Sequence, residues 1–244
     1  MCKELVLTWQ SPSNREWFVV GRLKQEQNAY KFVYTRGAEK AEVHGFIGFS
    51  GMSKFDQKYQ SDTLFPLFQN RVLNKSRPDR GDFLEWLDMT EENYSEFEEL
   101  ARTGGIRVTD NVQLYPVPEN RDGFYEVLFF THGTRHLAPH FLDRVDRLSK
   151  GEKLYLAFDR QNERDNDAIL LRTKDPVEFV GYCPKFFAKD FVEILNKSNP
   201  LDDIVTVEKV NSYAPEQLKL LCKFRALWPE NFIPFNHDDF CPLI

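Results

Sequence analysis

Asp159 to Leu171 reads DRQNERDNDAILL, with Asn162, Glu163, Arg164, Asp165, Asn166 and Asp167 in one unbroken polar run. That is more carboxylate and carboxamide chemistry than a turn needs. Asn and Asp side chains at such spacing close a loop by Asx-type bonds to their own backbone. The same oxygens also accept hydrogen bonds from a bound hydroxyl or amide, so both readings of Asn162 and Asp165 stand. Upstream lies His132-Gly133-Thr134-Arg135-His136, and downstream Val180-Gly181-Tyr182-Cys183-Pro184-Lys185. Arg135, in a strand-like stretch, is a candidate structural partner of Asp165. Lys185 is either a solvated lysine or a cation beside a helix N-terminus, where an anion is favoured.

Other reactive residues assemble into no catalytic pattern. His132, His136 and His140 recur every fourth residue in a segment that starts as a strand, which does not bring imidazoles together around a metal. His237-Asp238-Asp239 and the loop carboxylates offer ligands for a metal nuclease but no two-metal arrangement. Cys2, Cys183, Cys222 and Cys241 contain no Cys-x-x-Cys pair, and Cys183 has no evident base partner. The expectation is a non-catalytic protein with no metal, no small-molecule cofactor and reduced thiols.

The 244 residues carry a net charge of −6, with 41% hydrophobic and 29% charged residues, the balance of a globular chain. A net negative charge argues against coating long duplex, because such affinity comes from neutralised phosphates. It does not exclude a local site. Lys plus Arg against Asp plus Glu is 16 to 19 over 1–124, 12 to 12 over 125–198 and 4 to 7 over 199–244. The segment holding the polar loop is thus neutral between acidic flanks. No apolar run has membrane-spanning length, and the first residues are too short and acid-interrupted for a signal peptide. The expected compartment is the cytoplasm.

These residues need elements to position them. Leu5–Trp9 and Trp17–Val20 read as a hairpin, and Tyr30–Arg36 as a third strand. Helices are predicted over Thr63–Leu73, from about Asp82, and over 90–103 with Thr90 as N-cap and Thr103-Gly104-Gly105 as the stop. Residues 106–121, with two prolines and no helical period, predict a connector. Beyond it, Phe124–Phe130, KGEKLYLAFD, AILLRT, FVGYC and IVTVEKVN read as strands, and HFLDRVDRL as a short helix. PKFFAKDFVEILNK reads as a helix with Pro184 at its first position, and SYAPEQLKLLCKFRAL as another. The aromatic, Pro-rich tail is expected to pack along a domain surface.

Residues ~125–196 resemble the HIRAN domain, a small β-barrel module with appended helices. The resemblance rests on His132–His136, GEKLYLAFD, NERDNDAILL and VGYCPK with the helix after it. More weakly, VVGRL, YKFVYTRGAE and YQSDTLFPLFQNRV resemble the small N-terminal subdomain of HipA-type toxin kinases, but no kinase body follows. Together they imply an α+β chain. Residues 1–105 form a HipA N-terminal-like domain, 106–123 a connector, and 124–244 a HIRAN-like OB- or SH3-like barrel with a C-terminal helix and tail.

The HIRAN resemblance also implies a function. Translocase members of that family grip the 3′ end of single-stranded DNA, which presents a hydroxyl, phosphates and unstacked bases. By that likeness Asp165 matches the hydroxyl-binding aspartate, Arg135 a phosphate-binding arginine, Lys185 a basic position beside the next phosphate, and Asn162 the loop asparagine. His136 and Arg164 stand where the family often has aromatics, so base stacking is altered there. The implied protein is bacterial and acts in DNA repair or phage defence. It binds single-stranded DNA ends, its N-terminal domain contacts a partner protein, and it has no membrane association. The alternative is a regulatory component of toxin–antitoxin or defence type that binds no DNA.

Overall fold

A computed structural model of the chain describes residues 3–27, 29–107, 109–134, 137–163, 165–197 and 204–244. It separates into two units, each built from discontinuous segments.

The first unit comprises 1–80, 91–117 and 235–244. The apolar run after Lys3 forms β1 (Glu4–Gln10), which pairs antiparallel with β2 (Trp17–Glu26), and β2 pairs with β3 (Ala29–Tyr34). Thr35 then begins α1 (Arg36–Glu42), and β4 (Tyr59–Ser61) adds to β3. The expected connector is not one. Val112–Pro116 is strand β5, antiparallel to β1 with Leu7 opposite Leu114, giving the order β4-β3-β2-β1-β5. Its proline is tolerated because β5 is an edge strand and Pro116 is its last residue.

The helix predicted over Thr63–Leu73 shrinks to α2 (Pro66–Gln69). Past it, Arg71 is drawn to the Gly105 carbonyl at 2.8 Å and to both oxygens of Asp110. The helix over 90–103 begins later, as α4 (Glu96–Thr103). There Ser95, not Thr90, accepts from the Glu98 amide, and Gly104 ends the helix at φ 68°. Phe32, Tyr34, Phe46 and Phe68 meet in the core between the sheet and these helices.

The tail also belongs to this unit rather than to the second. Cys241 O accepts from the Arg36 amide, Tyr34 O from Leu243, and Phe240 O from the Arg22 guanidinium. Asp238 and Asp239 pair with Arg36 and Lys40.

The second unit comprises 81–90 and 118–234. Helix α3 (Arg80–Trp86) lies almost wholly in it, where Asn211 donates to the Trp86 carbonyl at 2.9 Å. The division therefore differs from the expected 1–105, 106–123 and 124–244 at three places: the 81–90 excursion, the β5 strand and the returning tail. None of these carries a local composition signal.

Six strands form one sheet: β6 (Phe124–Phe130), β7 (Lys153–Phe158), β8 (Ile169–Arg172), β9 (Phe179–Tyr182), β10 (Ile204–Val210) and β11 (Leu220–Leu227), in the order β6-β11-β10-β7-β8-β9. The predicted C-terminal helix is thus a strand. From Cys222 to Leu227 buried Cys222, Phe224 and Ala226 alternate with less buried neighbours, a period of two that suits a strand between two others. Helix α5 (Pro139–Asp146) packs on β9 through Phe141 and Phe179. Pro184 leads into a short 3-10 turn, Lys185–Phe187, followed by α6 (Ala188–Lys197). Phe191 of α6 stacks on Phe224 at 4.0 Å, under Tyr125 and Phe187.

The sheet curls into a half-barrel and its two edges meet at one bridge. Thr131 gives its amide to Leu220 of β11, whereas His132 exchanges both backbone bonds with Tyr182 at the end of β9. Gly181 makes this junction possible. Its φ is 141°, and a Cβ there would lie 2.7 Å from Thr131 Cβ. Gly181→Ala is expected to lower stability by about 2 kcal/mol or more, from strain and overlap together. A urea midpoint equal to that of the wild type would show that the junction yields.

Candidate nucleic-acid interface

The polar loop is the hairpin between β7 and β8. Its root is a ladder bond from Asp159 N to Ala168 O at 2.9 Å. Inside it the side chains replace the missing ladder. Asn162 Oδ1 accepts from the Asp165 amide at 3.1 Å, and Asn162 Nδ2 donates to Asp159 Oδ2 at 3.1 Å. Asp165 Oδ1 accepts from the Asp167 amide at 3.1 Å, and Asp165 O from Ala168 N at 3.0 Å. The Asx closure weighed from the sequence is present at both Asn162 and Asp165.

Asp165 Oδ2 takes no part in this closure, and among the described residues it accepts no hydrogen bond. Asp165 Oδ2 lies 3.9 Å from Lys185 Nζ, in a side chain 20% exposed beside one 43% exposed. Lys185 opens a 3-10 turn that runs directly into α6, so a helix N-terminus stands beside it. Of the six predicted site residues, the loop brings together Asn162, Asp165 and Lys185. Arg135, His136 and Arg164 lie outside the described residues.

Two organising residues, Tyr182 and Asp159, were not predicted as part of the site. The Tyr182 hydroxyl donates to Asp159 Oδ2 at 2.9 Å, while its backbone carries the His132 bridge. Its ring lies against Gly133, where φ is 73° and a Cβ would be 2.9 Å from Tyr182 Cδ2. Burial first, then the Asp159 carboxylate, raises the phenol above its ordinary value. Tyr182 thereby joins three segments: the loop through Asp159, the His132–Thr134 stretch through bridge and ring, and Lys185 through the chain. The Gly-Tyr pair at 181–182 marked this residue in the sequence, but its link to Asp159 spans 23 positions and had no sequence signal.

His132 is partly buried, and loss of hydration pushes its imidazole down to about 4, so it is neutral near pH 7. Among the described residues no three His, Cys, Asp or Glu side chains come together as a metal site. Asp238 and Asp239 are engaged by Arg36 and Lys40. Burial raises the Cys183 and Cys222 thiols, which keeps them protonated.

Two tests follow from this geometry. Asn162→Ala removes both loop bonds, and a loss of about 1–2 kcal/mol is expected. Amide exchange at Asp165 should speed up with it, and unchanged exchange would mean that Asn162 does not hold the loop. The second test concerns His132, which takes a proton near 6.5 when unfolded and near 4 when folded. Its contribution is full above about 6.5 and is lost as pH falls toward 4, because the unfolded chain binds the proton first. His132→Gln should flatten the fall of urea midpoint across that window; an identical slope in both proteins would exclude His132 as its source.

No curated protein matches the chain. Among solved structures, a protein from Lactobacillus plantarum is similar at 14% identity over 43% of this chain and 99% of its own, with a TM-score of 0.30. Residues 124–228 match the family model described as the HIRAN domain, a match that opens on the first residue of β6 and closes one residue after β11.

Proposed function

We propose that residues 124–228 form a non-catalytic nucleic-acid-binding module that takes the 3′ end of single-stranded DNA at the β7–β8 loop. The observation that carries this reading is the HIRAN match over the strands that frame the loop, together with the Asp165 oxygen left over after loop closure. A terminal hydroxyl donates to Asp165 Oδ2. Lys185 stands close enough to neutralise that carboxylate and to meet the adjoining phosphate. Arg135 serves a phosphate, while His136 and Arg164 supply imidazole and guanidinium planes to the bases. Two or three phosphate contacts with weakened stacking give micromolar, steeply salt-sensitive binding.

Fluorescence anisotropy with a labelled single strand tests this. Asp165→Ala and Arg135→Ala are each expected to weaken a free 3′ end about five- to tenfold. A 3′-phosphate should weaken wild-type binding comparably. Equal affinity for blocked and free ends would remove end recognition and leave general single-strand binding.

A second reading concerns the first unit, in which the module's partner protein docks. It is favoured by a mainly apolar cleft of about 330 Å³ lined by Trp9, Phe46, Ile47, Phe49, Leu67 and Val112 beside the Arg71–Asp110 pair, with Ile47 85% exposed. Recovery of a kinase-like partner, lost on Ile47→Asp, together with no DNA binding at low salt, would favour this regulatory role over the first.

A further inference from the structure

Three adjacent strands carry no carboxylate, although the chain has a net charge of −6: β7 is KLYLAF, β8 is ILLR and β9 is FVGY. Register places their side chains on two faces. Leu154, Ile169 and Leu171 point inward and are buried. Ala157, Leu170 and Tyr182 stand opposite one another in one outward row, and Tyr155, Arg172 and Phe179 in the next, where Phe179 meets Phe141 of α5 and bounds the face on the β9 side. Lys153, exposed, continues the same face of β7. All members of the two rows are partly exposed.

The Arg172 guanidinium lies 5.1 Å over the Tyr155 ring and donates to the Thr173 carbonyl at 3.0 Å. Among the described residues no carboxylate comes within ion-pairing distance of it. The nearby acids are already committed, Glu152 and Glu178 to Arg144, and Glu208 to Lys150 and Lys223. Arg172 is therefore a flat cation braced by an aromatic ring beneath it, with no counter-charge among the described residues.

From this geometry we infer that the outer face of β7 and β8 is the path of the strand leading away from the loop, with Tyr155 and Arg172 as a second nucleotide subsite. The inference rests on the reading of the loop as an end-binding site. The face is continuous with that site, because Tyr182 of the first row donates to Asp159 at the loop root. The second row is two residues further, about 7 Å along the strand, within reach of the next extended nucleotide. A base stacks on the outer plane of Arg172, and the remaining guanidinium hydrogens and Lys153 meet phosphates. The stacking altered at His136 and Arg164 is supplied here by another residue pair. An acidic peptide would satisfy the cations but not the ring-backed plane.

The test is anisotropy with labelled oligothymidylates from about 4 to about 16 nucleotides, the span of such sites. Wild-type affinity should rise with length. Tyr155→Leu and Arg172→Ala should weaken the longest about tenfold and change the shortest by less than about twofold. Tyr155→Phe should retain affinity, and Arg172→Lys, which keeps the charge without the plane, should fall between. Thermal melting identifies any variant that does not fold, and the conservative pair then decides. Variants that bind the longest strand as the wild type does, or a wild type indifferent to length, would overturn the second subsite and leave end binding intact. A wild type that binds no length would overturn both. Displacement of the strand by polyglutamate as readily as by unlabelled oligonucleotide would overturn the base-stacking assignment.

Discussion

Between Thr131 and His132 the chain changes partner, from β11 on one side to β9 on the other, and the second unit depends on that change. A curled sheet that stops short of closure leaves two edges with unpaired amides and carbonyls. Here one pair of backbone bonds brings the edges together, and it does so where Gly181 has no side chain to hold them apart. The closure is sterically sharp: Thr131 is buried beside Gly181, and its hydroxyl meets no hydrogen-bond partner among the described residues. Most of the candidate site hangs from this point. Tyr182 is at once the bridging residue, the donor to Asp159 and the wall against Gly133.

The described part of the loop is closed by its own hydrogen bonds. Its amides at Asp165, Asp167 and Ala168 are taken by side-chain or backbone oxygens from within the loop. Each such bond contributes only about 1 kcal/mol net, but together they fix where Asp165 Oδ2 points before any ligand arrives. Preorganisation of that kind lowers the entropic cost of association. The neutral balance of residues 125–198 between acidic flanks has a spatial counterpart, since β7, β8 and β9 contribute cations and aromatics without acids.

Much of this was legible in the sequence where the signal was local. The apolar run of β6 and the strong alternation of β7 stood out, and so did the glycine stop of α4. Asn162 and Asp165 were legible because Asx closure is a matter of spacing along the chain. The misreadings share a cause. LKLLCKFRAL contains enough apolar residues to satisfy either period, and only its place between β6 and β10 decides for a strand. Residues 106–121 look like a connector because prolines are conspicuous, yet a sheet edge accepts one. Tyr182 to Asp159 and Lys185 to Asp165 are encounters across folded space, and neither residue announces its partner.

The route of the last residues sets an order of events for the whole chain. Phe235 to Ile244 complete a unit that Lys3 to Gln10 begin, and everything from 118 to 234 is made in between. The second unit is threaded into the first as an insertion, so during synthesis it can finish folding while the first still lacks its final segment. Loop-closure entropy grows only slowly with the length of such an insertion, but the wait for the tail does not shrink. No single cut through the chain separates the two units.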